Sequence, residues 1–187
     1  MPQSRRVFIR NSGIGLLSFC AGGCEIELSP EEAKQQSIPF QVLNPDEVRT
    51  LEALGEILLP GSTDLGLANF IDHQLNATPQ DQLLMIKYLG VSAPYAPFYS
   101  AGLAALENAA NSSFGTEFAN LKPQQGIELV GQMAQENPDG WSGPPAAFFY
   151  FVVRNDALDV VYGTRDGFQR LGIPYMAHIE PPSRWGE

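Results

Sequence analysis

The sequence predicts an all-α protein: a single irregular helical bundle with an extended Pro/aromatic C-terminal tail and an N-terminal signal segment. Three observations carry that expectation. Apolar residues recur at three- and four-residue spacing in one segment after another. Several of these segments open on helix-start signals such as Asn44-Pro45-Asp46-Glu47 and Lys122-Pro123. No stretch alternates convincingly with period 2, and no internal repeat is visible. The chain has 187 residues, 44% of them hydrophobic and 10% aromatic, which suits one packed core rather than a disordered chain.

Residues 1–24 read as an export signal. Ser4-Arg5-Arg6-Val7-Phe8-Ile9-Arg10 precedes a weakly apolar run, 11–23, rich in Gly and Ser. That run is too short for a bilayer span, which takes ~20 apolar residues. Arg5, Arg6 and Phe8 match the twin-arginine consensus Ser-Arg-Arg-x-Phe-Leu-Lys, with Ile9 and Arg10 as departures. An ordinary secretory signal also tolerates paired arginines; the motif and the modest apolar run together favour the twin-arginine route. Cys20 and Cys24 have no second ligand pair downstream, so zinc is not expected. Ala21-Gly22-Gly23-Cys24 partly resembles a lipobox, with Ala21 where Leu belongs, which makes Cys24 a candidate lipidation site. Cleavage after Cys24 would leave no cysteine, and hence no disulfide.

The next segment, 25–43, is polar and unperiodic and is expected to be a tether; the helical domain then occupies 44–187. Asn44 caps the first helix, Pro45 suits its first turn and Glu47 completes a capping box. Val48, Leu51, Leu54, Ile57 and Leu58 follow at helical spacing, until Pro60-Gly61 stops the run. A second short helix covers 67–75, with Phe70, Ile71 and Leu75 on its apolar side. Thr78-Pro79 opens a third, carrying Leu83, Leu84, Ile86 and Leu89. After Pro94 and Pro97, 98–110 is an alanine-rich helix. Lys122-Pro123 begins another, with Ile127, Leu129, Val130 and Met133, ending at Asn137-Pro138. The run Phe148-Phe149-Tyr150-Phe151-Val152-Val153 has the composition of a buried strand. Its Pro144-Pro145 entry, Ala146-Ala147 start and continuation to Val161 favour a buried helix over 146–162 instead. Thr164 caps a last helix, closed by Gly172.

Composition and motifs exclude several kinds of chemistry. Lys and Arg number 11 against 21 Asp and Glu, a net charge of −10; without the signal the balance is near −13. Nucleic acid and anionic lipid are bound chiefly through cations, so neither is an expected partner, and membrane association is expected only through partners or lipidation. The two histidines, His73 and His178, lie far apart, without metal-ligand spacing. Glycine-rich stretches lack the strand-turn-helix context of a phosphate loop, and Ser142 has no adjacent base. Asp156 and Asp159, with Arg154 nearby, read as an ion-paired helix edge rather than a carboxylate pair. No catalytic constellation, cofactor site or metal site emerges.

The C-terminal third is dense in Pro, Gly and large rigid rings, the residue types that anchor interfaces. Trp141, Pro144, Pro145, Phe148, Phe149, Arg154, Asp156, Tyr162, Tyr175, His178 and Trp185 are the candidate partner contacts. Trp141, Tyr175 and Trp185 lapping back over their own bundle is the alternative.

Three of these segments resemble one family in particular: Gly140-Trp141-x-Gly143-Pro144-Pro145; Arg154-x-Asp156-Ala157-x-Asp159-Val160-Val161-Tyr162-Gly163-Thr164; and Gly172-Ile173-Pro174-Tyr175-Met176-x-His178-Ile179-x-Pro181-Pro182-x-Arg184-Trp185. Together with Leu58-Leu59-Pro60 and Phe70-Ile71-Asp72, they are similar to the gluconate 2-dehydrogenase subunit 3 family, the small subunit of membrane-bound flavin sugar dehydrogenases. The resemblance implies a non-catalytic helical subunit that binds a large FAD-containing dehydrogenase of the glucose-methanol-choline type. It also implies a periplasmic location at the inner membrane, an export signal supplied for the partner, and a multihaem cytochrome c as a further subunit. Two other readings stand beside it: a free-standing periplasmic binding or envelope protein with an apolar pocket near 148–151, and an enzyme using His73 or His178.

Overall fold

The computed structural model describes residues 17–21 and 24–174. Arg5, Arg6, Phe8, Tyr175, His178 and Trp185, and with them most of the signal and the tail, lie outside the described residues. Seven α-helices dominate the rest: α1 (Pro30–Gln35), α2 (Pro45–Leu58), α3 (Leu67–Asn76), α4 (Ala96–Phe114), α5 (Pro123–Met133), α6 (Ala146–Tyr162) and α7 (Arg165–Arg170). Short 3-10 turns occupy Met85–Leu89 and Phe118–Asn120. Ahead of the helices, β1 (Leu17–Ala21) pairs antiparallel with β2 (Cys24–Leu28), Leu17 facing Leu28 and Ala21 facing Cys24.

Local chemistry explains the helix boundaries. Asn44 accepts from the amides of Asp46 and Glu47, and the Glu47 side chain answers the Asn44 amide, so α2 opens on the expected box. Thr164 accepts from the Gly167 amide at 3.0 Å and caps α7. The segment expected as a tether is folded. Ser29-Pro30-Glu31-Glu32 repeats the grammar of the Asn44 box, Ser29 and Glu32 bonding reciprocally to start α1. Ala33, Ile38 and Leu43 are buried in the core. The strand pair is a second departure, since β2 alternates Cys24, Ile26 and Leu28 with Glu25 and Glu27.

A third correction falls between α3 and α4, where a helix carrying Leu83 to Leu89 was expected. Thr78-Pro79 opens a single hydrogen-bonded turn, the Thr78 carbonyl accepting from the Asp81 and Gln82 amides, and only Met85–Leu89 is helical, as a 3-10 element. Side chains take the backbone groups that a helix would have used. Gln74 Oε1 accepts from the Leu83 amide at 2.6 Å, and Lys87 Nζ donates to the carbonyls of Gln80 and Gln82 at 2.7 and 2.8 Å.

The bundle is organised on α2 and α6. Each packs against α3, α4 and α5 as well as against the other, and α6 also carries the Met85–Leu89 turn and α7. Leu51, Leu54, Phe70, Ile71, Leu103, Leu106, Leu129 and Phe149 are fully enclosed between them. Close approach of α4 to α6 depends on Gly102: a Cβ there would stand 2.3 Å from the Phe149 ring.

Candidate functional site

The Gly-Trp-x-Gly-Pro-Pro loop lies along α4. A Cβ at Gly140 would meet Ser112 Oγ at 2.4 Å, and one at Gly143 would meet Ala105 Cβ at 2.8 Å and the Ala101 carbonyl at 2.9 Å. Ala101, Ala105 and Ser112, spaced four and seven apart, form a stripe of small residues on one helix face, and the loop glycines seat on it. Trp141 Nε1 donates to the Pro144 carbonyl at 2.7 Å, and its ring lies 6.1 Å from Phe149. Trp141 therefore laps over its own bundle. Pro144 is half-buried and Pro145 exposed, and Asn137 Oδ1 accepts from the Ala146 amide at 2.8 Å, satisfying one orphan donor of α6.

Along α6 the expected interface residues separate by face. Phe148 is half-buried, edge-on to Phe98 at 5.5 Å. Phe149 and Asp156 are 0% exposed, which corrects their assignment to a partner surface. Burial of Asp156 follows from three-dimensional packing that spacing does not reveal. Its carboxylate accepts from the Met85 amide at 2.8 Å and from the Tyr99 hydroxyl at 2.6 Å, tying α6 to α4 and to the 3-10 turn. Burial pushes Asp156 up to about 7 despite those two hydrogen bonds, and the neighbouring Asp159 charge adds to the rise. Tyr99 is pushed well above its ordinary value by burial first and then by Asp156. The expected ion-paired edge is also absent: residues two apart on a helix point some 200° away from each other, so Arg154 faces outward while Asp156 faces inward. Among the described residues Arg154 is exposed and makes no hydrogen bond or ion pair. Asp159 is half-buried with no hydrogen-bond donor among the described residues, and its pKa is raised by that burial. Tyr162 is half-buried on the same outer side.

Asp72 and His73 have structural roles. Asp72 accepts from the amides of Gln41, Val42 and Leu43, each at 2.8 Å, and so pins the bend ahead of α2 onto α3. The His73 Nε2 lies 3.0 Å from the Ser18 carbonyl; burial lowers its pKa, and Ser18 and Asp72 partly offset that. The sequence motif Phe70-Ile71-Asp72 contained this anchor, but Tyr99 and Met85 carried no local signal linking them to Asp156. Cys24 opens β2.

Among the clefts of the described surface, two lie beside paired polar side chains. One, about 340 Å³, lies between α2 and α4 beside Thr50 and Glu107; Glu107 accepts from the Thr50 hydroxyl at 2.6 Å and from the Phe118 amide at 3.0 Å. The other, about 290 Å³, is lined by the Lys34–Glu52 ion pair, Phe40, Val48 and Asn69. The rings of Phe98, Tyr99, Phe148, Phe149 and Trp141 pack on one another, filling the region where an apolar pocket was expected. Among the described residues no three His, Cys, Asp or Glu side chains gather as metal ligands do. No helix among them is long and apolar enough to cross a membrane.

A family model described as gluconate 2-dehydrogenase subunit 3 matches residues 45–176, from the first residue of α2 to just past the described C-terminal end. Neither the curated proteins nor the solved structures yield a match.

Proposed function

The chain belongs to the gluconate 2-dehydrogenase subunit 3 family, and from that membership we propose that it is the accessory subunit of a flavin-dependent sugar or gluconate dehydrogenase. On this reading a large catalytic subunit of the glucose-methanol-choline type holds the FAD, and a multihaem cytochrome c takes the electrons. The small subunit docks on the folded flavoprotein, stabilises it, and brings it to the periplasm by the twin-arginine route, which moves folded passengers. Its place at the inner membrane comes from its partners, with lipidation of Cys24 as a further anchor.

The family match is the observation that carries this reading. The geometry adds support at the level of chemistry. Asp72 of the family-like segment, Asp156 of the candidate partner contacts and His73 of the enzyme alternative all make hydrogen bonds that hold the fold. The aromatic cluster that would have walled a ligand pocket is filled by its own rings. The test is cellular. Changing Arg5 and Arg6 together to Lys should strand the dehydrogenase activity in the cytoplasm and lower its periplasmic level at least tenfold. Undiminished periplasmic activity in that variant would remove the escort role. Affinity purification of the chain from its native envelope should bring down a yellow complex with dye-linked dehydrogenase activity; a colourless, solitary chain would remove the accessory role.

A further inference from the structure

We propose that the outer strip of α6, formed by Phe151, Arg154, Leu158 and Tyr162 with Asp159 at its edge, is the face that docks on the catalytic subunit; this rests on the accessory-subunit reading. Successive residues of a helix are 100° apart, so positions 151, 154, 158 and 162 share one side, and Asp159 flanks them. The opposite side, Phe149, Val152, Val153, Asp156 and Val160, is fully inside the bundle. A surface helix normally turns a polar face outward, whereas a helix that is apolar all round is covered all round. α6 is apolar over most of its circumference, with Arg154, Asn155, Asp156 and Asp159 as its charged and amide residues, yet this strip is left partly open among the described residues: Phe151 is 42% exposed and Leu158 and Tyr162 are half-buried.

The charges on the strip identify the chemistry of what covers it. Arg154 is the one basic residue of α6, stands between Phe151 and Leu158 one turn away on either side, and has no counter-ion among the described residues. Elsewhere on the described chain, Lys34 and Arg49 are paired with carboxylates, Lys87 and Arg170 are held by carbonyls, and the exposed Lys122 is, like Arg154, without a carboxylate partner among the described residues. Asp159 is half-buried and has no donor among the described residues, so it carries a desolvation cost that a donor from outside would relieve. The complement is a protein surface with an apolar hollow for Phe151, a carboxylate opposite Arg154, and a hydrogen-bond donor opposite Asp159. A second copy of this chain is disfavoured by mutual repulsion at a net charge of −10, and an anionic lipid surface by the single cation on the strip.

The test is co-expression of the tagged full chain with its flavin-bearing catalytic subunit. The readouts are the amount of that subunit, identified by peptide mass, and the flavin absorbance recovered per small subunit. Phe151→Asp and Arg154→Glu should each lower recovery at least tenfold, and Arg154→Lys should retain more than Arg154→Glu. Ile127→Asp, an equally drastic change at a 60% exposed apolar residue on α5, should leave recovery unchanged. Circular dichroism and melting temperature of each variant alone should match the parent. Full recovery with folded Phe151→Asp and Arg154→Glu would overturn the docking face while leaving the accessory role intact. Failure of the parent chain to recover any flavoprotein would overturn both. A parent chain that is dimeric by light scattering and made monomeric by Arg154→Glu would assign the strip to a second copy and overturn the proposal.

Discussion

At the scale of single residues, Asp156 makes the sharpest prediction. Its carboxyl titrates near 7 in the folded chain against an ordinary 3.8. The folded state therefore keeps a proton that the unfolded state has released, and stability falls as pH climbs between those two values. Asp156's contribution is full below about 4 and is lost by the time pH has passed 7, a change on the order of 4 kcal/mol. Asp159, raised by the same cause, slopes in the same direction. Asp156→Asn should fold, because the amide oxygen can accept from Met85 and the Tyr99 hydroxyl can accept instead of donate. Urea midpoints between pH 5 and 8 should then be visibly flatter than those of the parent. Tyr99→Phe removes the shortest bond to that carboxylate; it should cost about 1–3 kcal/mol and move the titration higher still. This anchor was only half legible in the sequence. The Asp-x-x-Asp spacing was plain, but burial and the long-range pairing with Tyr99 are properties of packing that no local pattern encodes.

At the scale of elements, most helix starts were legible, several of them written by a cap or a proline, although Thr78-Pro79 opens only a turn. α2, α3, α6 and α7 start where Asn44, Leu67, the Pro144-Pro145 entry and Thr164 predict. Two stretches were illegible for different reasons. The six-residue α1 is too short to display a helical period, although its Ser29 box was present in plain form. Between α3 and α4, Gln74, Gln82 and Lys87 take over the backbone's hydrogen bonds, so a helical apolar pattern folds as a loop. Ser29→Ala or Asn44→Ala should each cost about 1 kcal/mol by chemical denaturation, as lost caps do. The α4–α6 contact admits a stronger check. Gly102→Ala drives a methyl into the Phe149 ring and should cost about 1–3 kcal/mol. Phe149→Ala opens a cavity and should cost about 3–5 kcal/mol. The double variant should be less damaging than the sum of the two, because the added methyl enters the emptied space.

At the scale of the whole molecule, the all-α class and a buried helix over 146–162 followed from composition and periodicity. Which half of that helix faces out did not, since aromatic residues surround it and only the assembled bundle distinguishes the sides. A subunit that binds its partner's folded state alone raises that partner's stability, by about 2.7 kcal/mol at a hundredfold excess over the dissociation constant. The purified catalytic subunit, followed by flavin fluorescence, should therefore melt later with the parent chain added, and unchanged with Arg154→Glu at the same concentration. The glycine loop seated on α4 has a consequence for how such chains diverge. Gly140 and Gly143 leave no room for a side chain above Ala101, Ala105 and Ser112, so enlarging either partner demands a compensating change in the other. Positions 101, 105, 112, 140 and 143 should thus be inherited as a block: relatives would vary them together, and a chimera that swaps the loop without its matching helix would misfold at that seam.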